Sequence, residues 1–419
     1  LFGGLVKKVV ITGLGIVSCL GHDPDTYFNN LLSGKSGIKK ITGFDASVLP
    51  VQFAGEVSDF DASKYVDKKF ERRYDKCIIF AIAGAKNAIE DAGLTPEIIE
   101  KLDKSKIGVI IGSGIGGTQS FYEQSIHFKE GGVKKVSPFF IPSIIPDMAS
   151  GQVALQYGFM GPNYAVVSAC ASSNHSIISA ADQIRLGRAD IMLTGGTEAA
   201  INEIIMAGFC SNKALSTRND SPETASRPFD IDRDGFVCGE GCGIIVLESE
   251  ESAKKRGARI YAEYFGGGTS CDADHVTAPR EDGLGVYYSI ESALKEAGVK
   301  KEEIVYINGH STSTPLGDKA EVNAVKRVFG EHSKKLKMNS TKSLIGHGLG
   351  ASGALELVAV IKSVQKDKIH PTINVFNQDP ECDIDVVKNG AIDIKVDYAI
   401  SNSFGFGGHN STVVVGKYK

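Results

Sequence analysis

The sequence lacks a long hydrophobic run, a strong net charge and a regular cysteine pattern. No uninterrupted stretch of 18 apolar residues occurs, so no membrane-spanning helix is expected. The formal net charge is -4 over 419 residues, which leaves no overall electrostatic attraction to nucleic acid or to an anionic membrane. The eight cysteines are scattered through mostly apolar contexts, which favours free thiols in a reducing compartment over a disulfide framework.

Short β-branched runs alternate with longer helical patterns along the chain. "KVVIT" and "KIGVIIG" are typical of strands, and "CIIFAIAGAKNAIEDAGL" has apolar residues at helical spacing before a glycine stop. Strand, helix and strand recurring at this interval predict an α/β fold with mainly parallel sheets.

The order of these parts repeats once. Glycine-rich turns follow strands at "VVITGLG" and "VIIGSGIGG" in the first half and at "VYINGHSTS" and "SNSFGFGGHN" in the second. The pattern predicts two similar halves, residues 1–258 and 259–419; a single irregular α/β domain is the alternative. Because open α/β sheets bind ligands at the carboxyl ends of their strands, functional residues are expected in these turns.

Cys170 lies where the apolar run "YAVV" leads into small residues that suit the start of a helix. A thiol at a helix N-terminus meets unpaired backbone N–H groups and the positive end of the helix dipole, which lower its pKa from about 8.5 toward neutrality. The alternative is an inert buried cysteine. His310 and His347 stand in glycine-rich turns after strands of the second half, and a cysteine with histidines can perform acyl transfer. The three residues are therefore predicted to meet at one thioester site.

Two other motifs carry weaker signals. "GSGIGG" matches the glycine pattern of dinucleotide sites, but no small-residue helix and no acidic strand end follow it, so a turn that lines a cavity is favoured. Cys238 and Cys242 in "CGEGC" have no second ligand pair at metal-binding spacing, and packing beside a glycine turn is favoured.

Four motifs, "SACASS", "NGHSTSTPLGD", "NSTKSLIGHGLGASG" and "SNSFGFGGHN", together with "TASRPFDIDRDGFVCGEG", resemble the signatures of the β-ketoacyl-acyl-carrier-protein synthases. More narrowly, they resemble the elongating enzymes with a Cys-His-His triad, over nearly the whole chain. The resemblance implies the thiolase fold, with two similar halves stacked as α-β-α-β-α, and a homodimer. It also implies the reaction, a decarboxylative condensation of malonyl carrier protein with a cysteine-bound acyl chain in type II fatty acid biosynthesis.

The resemblance assigns a role to each predicted residue. Cys170 would carry the acyl chain, and its backbone N–H with that of Phe404 would form the oxyanion hole; Phe404 would also swing as a gate. His310 and His347 would donate hydrogen bonds to the malonyl thioester oxygen and stabilise the enolate formed as carbon dioxide leaves. Lys342, paired with Glu321, would set the local charge. Thr312 and Thr314 would hold the pantetheine arm, and Ile115 and Phe209 would form part of the acyl-pocket wall.

The resemblance also implies which partners bind. No cofactor is required, since decarboxylation supplies the driving force, but family members can hold a monovalent cation at positions that match Asn308, Glu356, Ser401 and Asn402. The protein partner would be acidic acyl carrier protein. A basic patch in "DKKFERR" would dock it, with a solvated helix start as the alternative; the patch comprises Lys68, Lys69, Arg72 and Arg73.

Two further functions share this fold. Thiolases need a second cysteine in the last motif, and "SFGFGGHN" has none; non-catalytic chain-length partners of polyketide systems lack the nucleophile that Cys170 provides. Initiating synthases have Asn where His347 stands. Segments such as "SPFFIPSIIPDMAS" favour a plastid or apicoplast stroma, with a targeting segment removed upstream of Leu1, and the bacterial cytoplasm is the alternative.

Overall fold

A computed structural model describes residues 7–419. The strands in this range are β1 Val9–Val17, β2 Lys39–Lys40, β3 Phe53–Ala54, β4 Ile107–Gly112, β5 Asn163–Tyr164, β6 Ile191–Glu198, β7 Gly241–Ser249, β8 Ala262–Cys271, β9 Tyr306–Asn308, β10 Lys337–Asn339, β11 Lys368–Ile369, β12 Ile392–Asp393, β13 Tyr398–Gly405 and β14 His409–Gly416. The α-helices are α1 Pro24–Leu32, α2 Lys68–Glu71, α3 Lys76–Asp91, α4 Pro96–Ile99, α5 Thr118–Gly131, α6 Phe140–Ile144, α7 Met148–Tyr157, α8 Ser172–Arg185, α9 Glu203–Ser211, α10 Glu250–Lys255, α11 Leu284–Ala297, α12 Pro315–Phe329, α13 Lys342–Ile345 and α14 Ser352–Lys366. None of these helices has the length and apolar content to cross a bilayer.

The main strands form one mixed sheet in which two five-stranded halves meet, and its antiparallel pairings outnumber its parallel ones, so the prediction of mainly parallel sheets is wrong. The strand order is β10-β9-β13-β14-β8-β1-β7-β6-β4-β5. If the five strands of each half are numbered 1 to 5 along the chain, both halves have the order 3-2-4-5-1 from the outer edge of the sheet to its centre. The first strands of the two halves, β1 and β8, pair antiparallel where the halves join. In each half the last strand is antiparallel to both of its neighbours. The predicted repeat is therefore present in the topology, while the boundary at residue 258, between α10 and β8, stays a prediction.

The helices form three layers around the two halves of the sheet. Helices α3 and α7 pack on the outer face of the first half, and α11 packs on β8 and β14 with α12 against it. Helices α8 and α14 contact each other and strands of both halves, so they form the layer between them. The order is α-β-α-β-α, as the resemblance implied. Buried residues run without a break from Ser352 to Val364 of α14, as expected of a helix enclosed on all sides.

Several strands end at the same edge of the sheet. Strands β4 and β6 are parallel, as are β9, β10 and β13. Their carboxyl ends carry the glycine-rich turns that the sequence singled out, and α8 begins beside them. Because parallel strands bring their carboxyl ends together, side chains from distant parts of the chain meet here.

Candidate active site

Cys170 lies in a strained turn immediately before α8. Ala169 has a φ of +50°, in the left-handed region that non-glycine residues rarely adopt. The Ser172 hydroxyl holds the turn by donating to the Ala169 carbonyl (2.7 Å) and accepting from the Ser168 N–H (2.9 Å). The backbone of β13 passes alongside, since a Cβ on Gly405 would lie 3.0 Å from the nitrogen of Cys170.

One cavity of about 540 Å³ brings the predicted residues together. Cys170, His310 and His347 all line it, although they come from three separate loops. Cys170 is only 9% exposed, so the cavity reaches a buried sulfur. The same walls include predicted substrate residues and their neighbours, namely Ile115, Phe209, Thr312, Thr314, Glu321 and Phe404.

The imidazole rings of His310 and His347 lie edge to face, and both are uncharged at neutral pH. Their ring centroids are 5.2 Å apart at an angle of 83°. Burial lowers the pKa of His310 and of His347 well below 6.5, and the nearby ammonium of Lys342 adds to both shifts. Nδ1 of His347 is 2.8 Å from the Ser352 hydroxyl. If that hydroxyl donates, Nε2 of His347 carries the proton and can donate to a ligand.

The protonation state of Cys170 differs from the prediction. Burial raises the pKa of the thiol to about 12, while Lys342 and the backbone N–H groups of Cys170 and Phe406 act in the opposite direction. The N-cap of α8 is Ala171, so Cys170 lies directly before the helix N-terminus, as predicted, but burial outweighs the effect of that position on the thiol. The resting nucleophile is therefore a thiol, and its proton must leave during acyl transfer.

The glycine-flanked phenylalanines also differ from the prediction. Phe404 lies inside β13, paired in register with Asn410, and its ring centroid is 5.3 Å from that of His310. Phe406 stands in the turn between β13 and β14, and its backbone N–H acts to lower the pKa of the Cys170 thiol. The oxyanion hole and the gate assigned to Phe404 are thus better matched by Phe406, because strand pairing holds Phe404 in place.

The predicted pair of Lys342 and Glu321 is wrong. Lys342 is 1% exposed and pairs with Glu356 of α14. Glu321 of α12 instead accepts from the backbone N–H groups of His310 (2.9 Å) and Ser311 (2.8 Å). The carboxylate of Glu321 therefore fixes the His310 turn, while the helix between the two halves supplies the counter-charge of the lysine.

The predicted substrate contacts stand at the cavity wall. The hydroxyls of Thr312 and Thr314 are 3.0 Å apart, and Thr314 caps α12 by accepting from Gly317 N–H (3.2 Å). The ring of Phe209 lies edge-on to Phe236 with centroids 5.3 Å apart. Both arrangements are rigid because each side chain is held by a neighbour.

The predicted basic patch lies apart from the cavity. Lys68 and Lys69 are exposed on α2, and Arg72 is exposed just after it. Arg73 is half-buried, with its guanidinium 4.3 Å from the ring centroid of Phe139. None of the four lines the cavity.

The positions matched to a monovalent cation lie behind the triad. Ser401 of β13 pairs in register with Asn308 of β9. Buried Oδ1 of Asn308, Oε2 of Glu356 and Oγ of Ser401 have no hydrogen-bond partner within residues 7–419. Oxygen atoms of this kind suit a hard cation. Asn402 differs, because both ends of its side-chain amide are already hydrogen-bonded.

Glu198 is a further residue of the site that no sequence motif pointed to. This residue ends β6, is 0% exposed and accepts hydrogen bonds from the glycine turn after β4 and from the loop after His347. The available signal was an acidic residue at the end of the buried strand "IMLTGGTE".

The chain matches family models along most of its length. The model described as "Beta-ketoacyl synthase, N-terminal domain" matches residues 6–253, and "Beta-ketoacyl synthase, C-terminal domain" matches residues 261–376. The chain is 51% identical over 413 residues to the chloroplastic 3-oxoacyl-[acyl-carrier-protein] synthase I of Arabidopsis thaliana, covering 99% of this chain and 87% of the relative. It is 48% identical over 413 residues to 3-oxoacyl-[acyl-carrier-protein] synthase 2 of Staphylococcus aureus, covering 99% of both.

Solved structures agree with these matches. A β-ketoacyl synthase from Burkholderia phymatum has a TM-score of 0.91 at 32% identity, covering 99% of this chain and all (100%) of that one. A type II polyketide ketosynthase solved in complex with its acyl-carrier protein also has a TM-score of 0.91, at 33% identity, covering 98% of this chain and 100% of that one. With its fold, its cavity and both family models in agreement, this chain belongs to the beta-ketoacyl synthase family.

Proposed function

We propose that this protein is an elongating 3-oxoacyl-[acyl-carrier-protein] synthase, an acyltransferase of type II fatty acid biosynthesis. It condenses malonyl carrier protein with an acyl chain bound to Cys170 and releases carbon dioxide. The observation that carries the proposal is one narrow cavity that exposes a cysteine and two uncharged imidazoles to the same space.

In the first step the sulfur of Cys170 attacks the thioester carbon of the acyl carrier protein. A new carbon–sulfur bond forms, the old one breaks, and the thiol proton leaves with the pantetheine thiol. The N–H groups of Cys170 and Phe406 supply the donors at this position. Each donor aimed at a developing oxyanion is commonly worth about 3 kcal/mol in the transition state.

In the second step the malonyl group loses carbon dioxide. The electrons of the broken bond move onto the thioester oxygen, where N–H groups of His310 and His347 stabilise the enolate. Neutral imidazoles suit this role because they donate without adding a full charge to a buried site. The enolate carbon then attacks the acyl thioester and gives a 3-oxoacyl chain two carbons longer, while Cys170 leaves as a thiolate and takes up a proton from water to restore the resting thiol.

Mass spectrometry of the products tests this function. The purified protein is incubated with malonyl carrier protein and with acyl carrier proteins of graded chain length. We expect 3-oxoacyl carrier proteins two carbons longer than each accepted primer. Absence of any condensed product with every primer would refute the proposal and favour a non-catalytic chain-length partner.

We also propose a homodimer joined along β5. This strand, Asn163–Tyr164, is exposed and lies at the edge of the sheet, where unpaired backbone groups invite pairing with a second copy. Large apolar side chains are exposed around it and on the preceding helices: Phe121, Phe128, Ile141, Leu155, Met160 and Val167. Light scattering coupled to gel filtration should give twice the mass of one chain, 44.6 kDa; a single-chain mass would exclude the dimer.

Acyl carrier protein is the proposed protein partner, docked by Lys68, Lys69 and Arg72, whose exposed charges complement an acidic surface. We propose a plastid or apicoplast stroma as the location, for which the names of the chloroplastic relatives are the support; the bacterial cytoplasm is the alternative, because bacterial relatives are nearly as similar. A structural monovalent cation would be held by Asn308, Glu356 and Ser401, where it would add a fixed positive charge beside the Lys342 ammonium.

A further inference from the structure

Glu198 is a buried carboxylate held entirely by neutral donors. Its Oε1 accepts from the Ser113 hydroxyl (2.9 Å) and the Ile115 N–H (3.3 Å). Its Oε2 accepts from the N–H groups of Gly114 (2.7 Å) and Gly350 (3.0 Å). Four donors on one carboxylate satisfy most of its lone pairs, and such hydrogen bonds to a charged acceptor are the strong ones.

The donors belong to two loops that form different parts of the cavity. Gly114 and Ile115 line it from the turn after β4, and Leu349, next to Gly350, lines it from the loop that carries His347. The loops touch directly, because a Cβ on Gly350 would lie 2.1 Å from the Gly114 nitrogen. Leu349 has a φ of +48°, so its loop needs outside contacts to keep this conformation.

We propose that Glu198 is a positioning residue whose ionised carboxylate fixes the acyl-cavity turn and the His347 loop relative to each other. Glu198 then fixes two positions at once: that of the cavity wall that contacts the acyl chain and that of the imidazole that contacts the malonyl group. The inference rests on the proposed function for the reaction that it measures, and Glu198 itself does not touch the reacting atoms.

Protonation of Glu198 should release this constraint. Burial raises the pKa of its carboxyl to about 7, and the four hydrogen bonds only partly offset the rise. The titratable groups that interact with it are the thiols of Cys77 of α3, Cys170 and Cys238, and all of them are neutral at pH 7 because burial raises the pKa of each thiol. A proton on one oxygen of Glu198 removes an acceptor, so at least one loop N–H loses its partner.

The test compares wild-type enzyme with Glu198→Gln across pH. Glutamine has the same size, but its NH₂ group cannot accept from the N–H groups that it meets. At about pH 8.5 we expect the Glu198→Gln variant to condense roughly tenfold more slowly than the wild-type enzyme. At about pH 5.5, where the wild-type carboxyl is protonated as well, the ratio of the wild-type rate to the variant rate should approach one. Glu248→Gln is the control for loss of a buried carboxylate away from the cavity, because Glu248 pairs with Arg256 and stands in register with Ile191 at the start of β6; it should lower stability without changing the pH dependence of the rate.

A wild-type rate for Glu198→Gln at high pH, or a ratio that does not change with pH, would overturn the inference. Should Glu198→Gln fail to fold by circular dichroism, Ser113→Ala removes a single donor to the carboxylate. It should raise the pKa of Glu198 and move the acidic limb of the wild-type rate profile to higher pH, and an unmoved limb would also overturn the inference. An inactive wild-type enzyme would instead refute the proposed function, so the two failures are distinguishable.

Discussion

Replacing Ser352 by alanine tests whether the imidazole of His347 carries its proton on a fixed nitrogen. The Ser352 hydroxyl is the side-chain partner of Nδ1 in His347, at 2.8 Å. Its removal leaves a buried ring nitrogen without a partner, which costs about 1–3 kcal/mol. It also frees the ring to carry its proton on Nδ1, so Nε2 no longer donates to the malonyl oxygen.

We expect Ser352→Ala to slow malonyl decarboxylation by about 5- to 150-fold, the range that corresponds to about 1–3 kcal/mol. Acylation of Cys170 should remain near the wild-type rate, because that step does not use His347 as a donor. Both rates follow from mass spectrometry of malonyl carrier protein and of the intact enzyme. Ser176→Ala is the control, since the buried Ser176 hydroxyl has no hydrogen-bond partner within residues 7–419. Equal losses in the two steps, or no loss, would refute the assigned tautomer.

Three further changes test the surroundings of the site. Gly405→Ala places a Cβ 2.6 Å from a backbone carbonyl and 3.0 Å from the nitrogen of the nucleophile, so acylation measured by mass spectrometry should fall by roughly 100-fold or more; normal acylation would show that this turn can widen. Lys342→Met leaves Glu356 buried without its counter-charge and should lower the free energy of unfolding by about 3–5 kcal/mol in urea. The double variant with Glu356→Leu should regain stability but not activity. A Lys342→Met variant as stable as the wild type would contradict the pairing of Lys342 with Glu356. Charge reversal at Lys69 and Arg72 should raise the KM for acyl carrier protein several-fold at low salt without changing kcat, and an unchanged KM would remove the patch from the docking surface.

The sequence predicted the fold and the reacting side chains because those depend on local pattern. β-branched runs with glycine stops identified the main strands, and the turns at their carboxyl ends contribute to the cavity that Cys170, His310 and His347 line. The apolar run before Cys170 was wrongly taken as a strand, because the short strand β5 ends at Tyr164 and Val167 is exposed. The repeat of glycine turns matched the repeated strand order of the two halves.

The errors came from tertiary packing and burial, which local sequence pattern does not encode. The counter-charge of Lys342 is Glu356 because α14 runs through the centre of the molecule, which spacing along the chain does not reveal. The choice between Phe404 and Phe406 depended on where β13 stops pairing. The thiol pKa was predicted from the helix terminus alone, whereas burial dominates it.

The same limit explains why Glu198 was missed. Its donors lie more than 80 residues before it and about 150 after it along the chain, as the separations of 84 and 152 show. An acidic residue at a strand end was visible, but its four partners appear only once both halves of the sheet are assembled.

The central claim is that Cys170 performs acyl transfer while the imidazoles perform decarboxylation. The most direct test is Cys170→Gln with malonyl carrier protein and an acyl primer, followed by carbon dioxide release and product mass. We expect Cys170→Gln to give no 3-oxoacyl product but continued release of carbon dioxide, whereas His347→Ala should become acylated on Cys170 but release little carbon dioxide. Condensation by Cys170→Gln, or undiminished decarboxylation by His347→Ala, would contradict it.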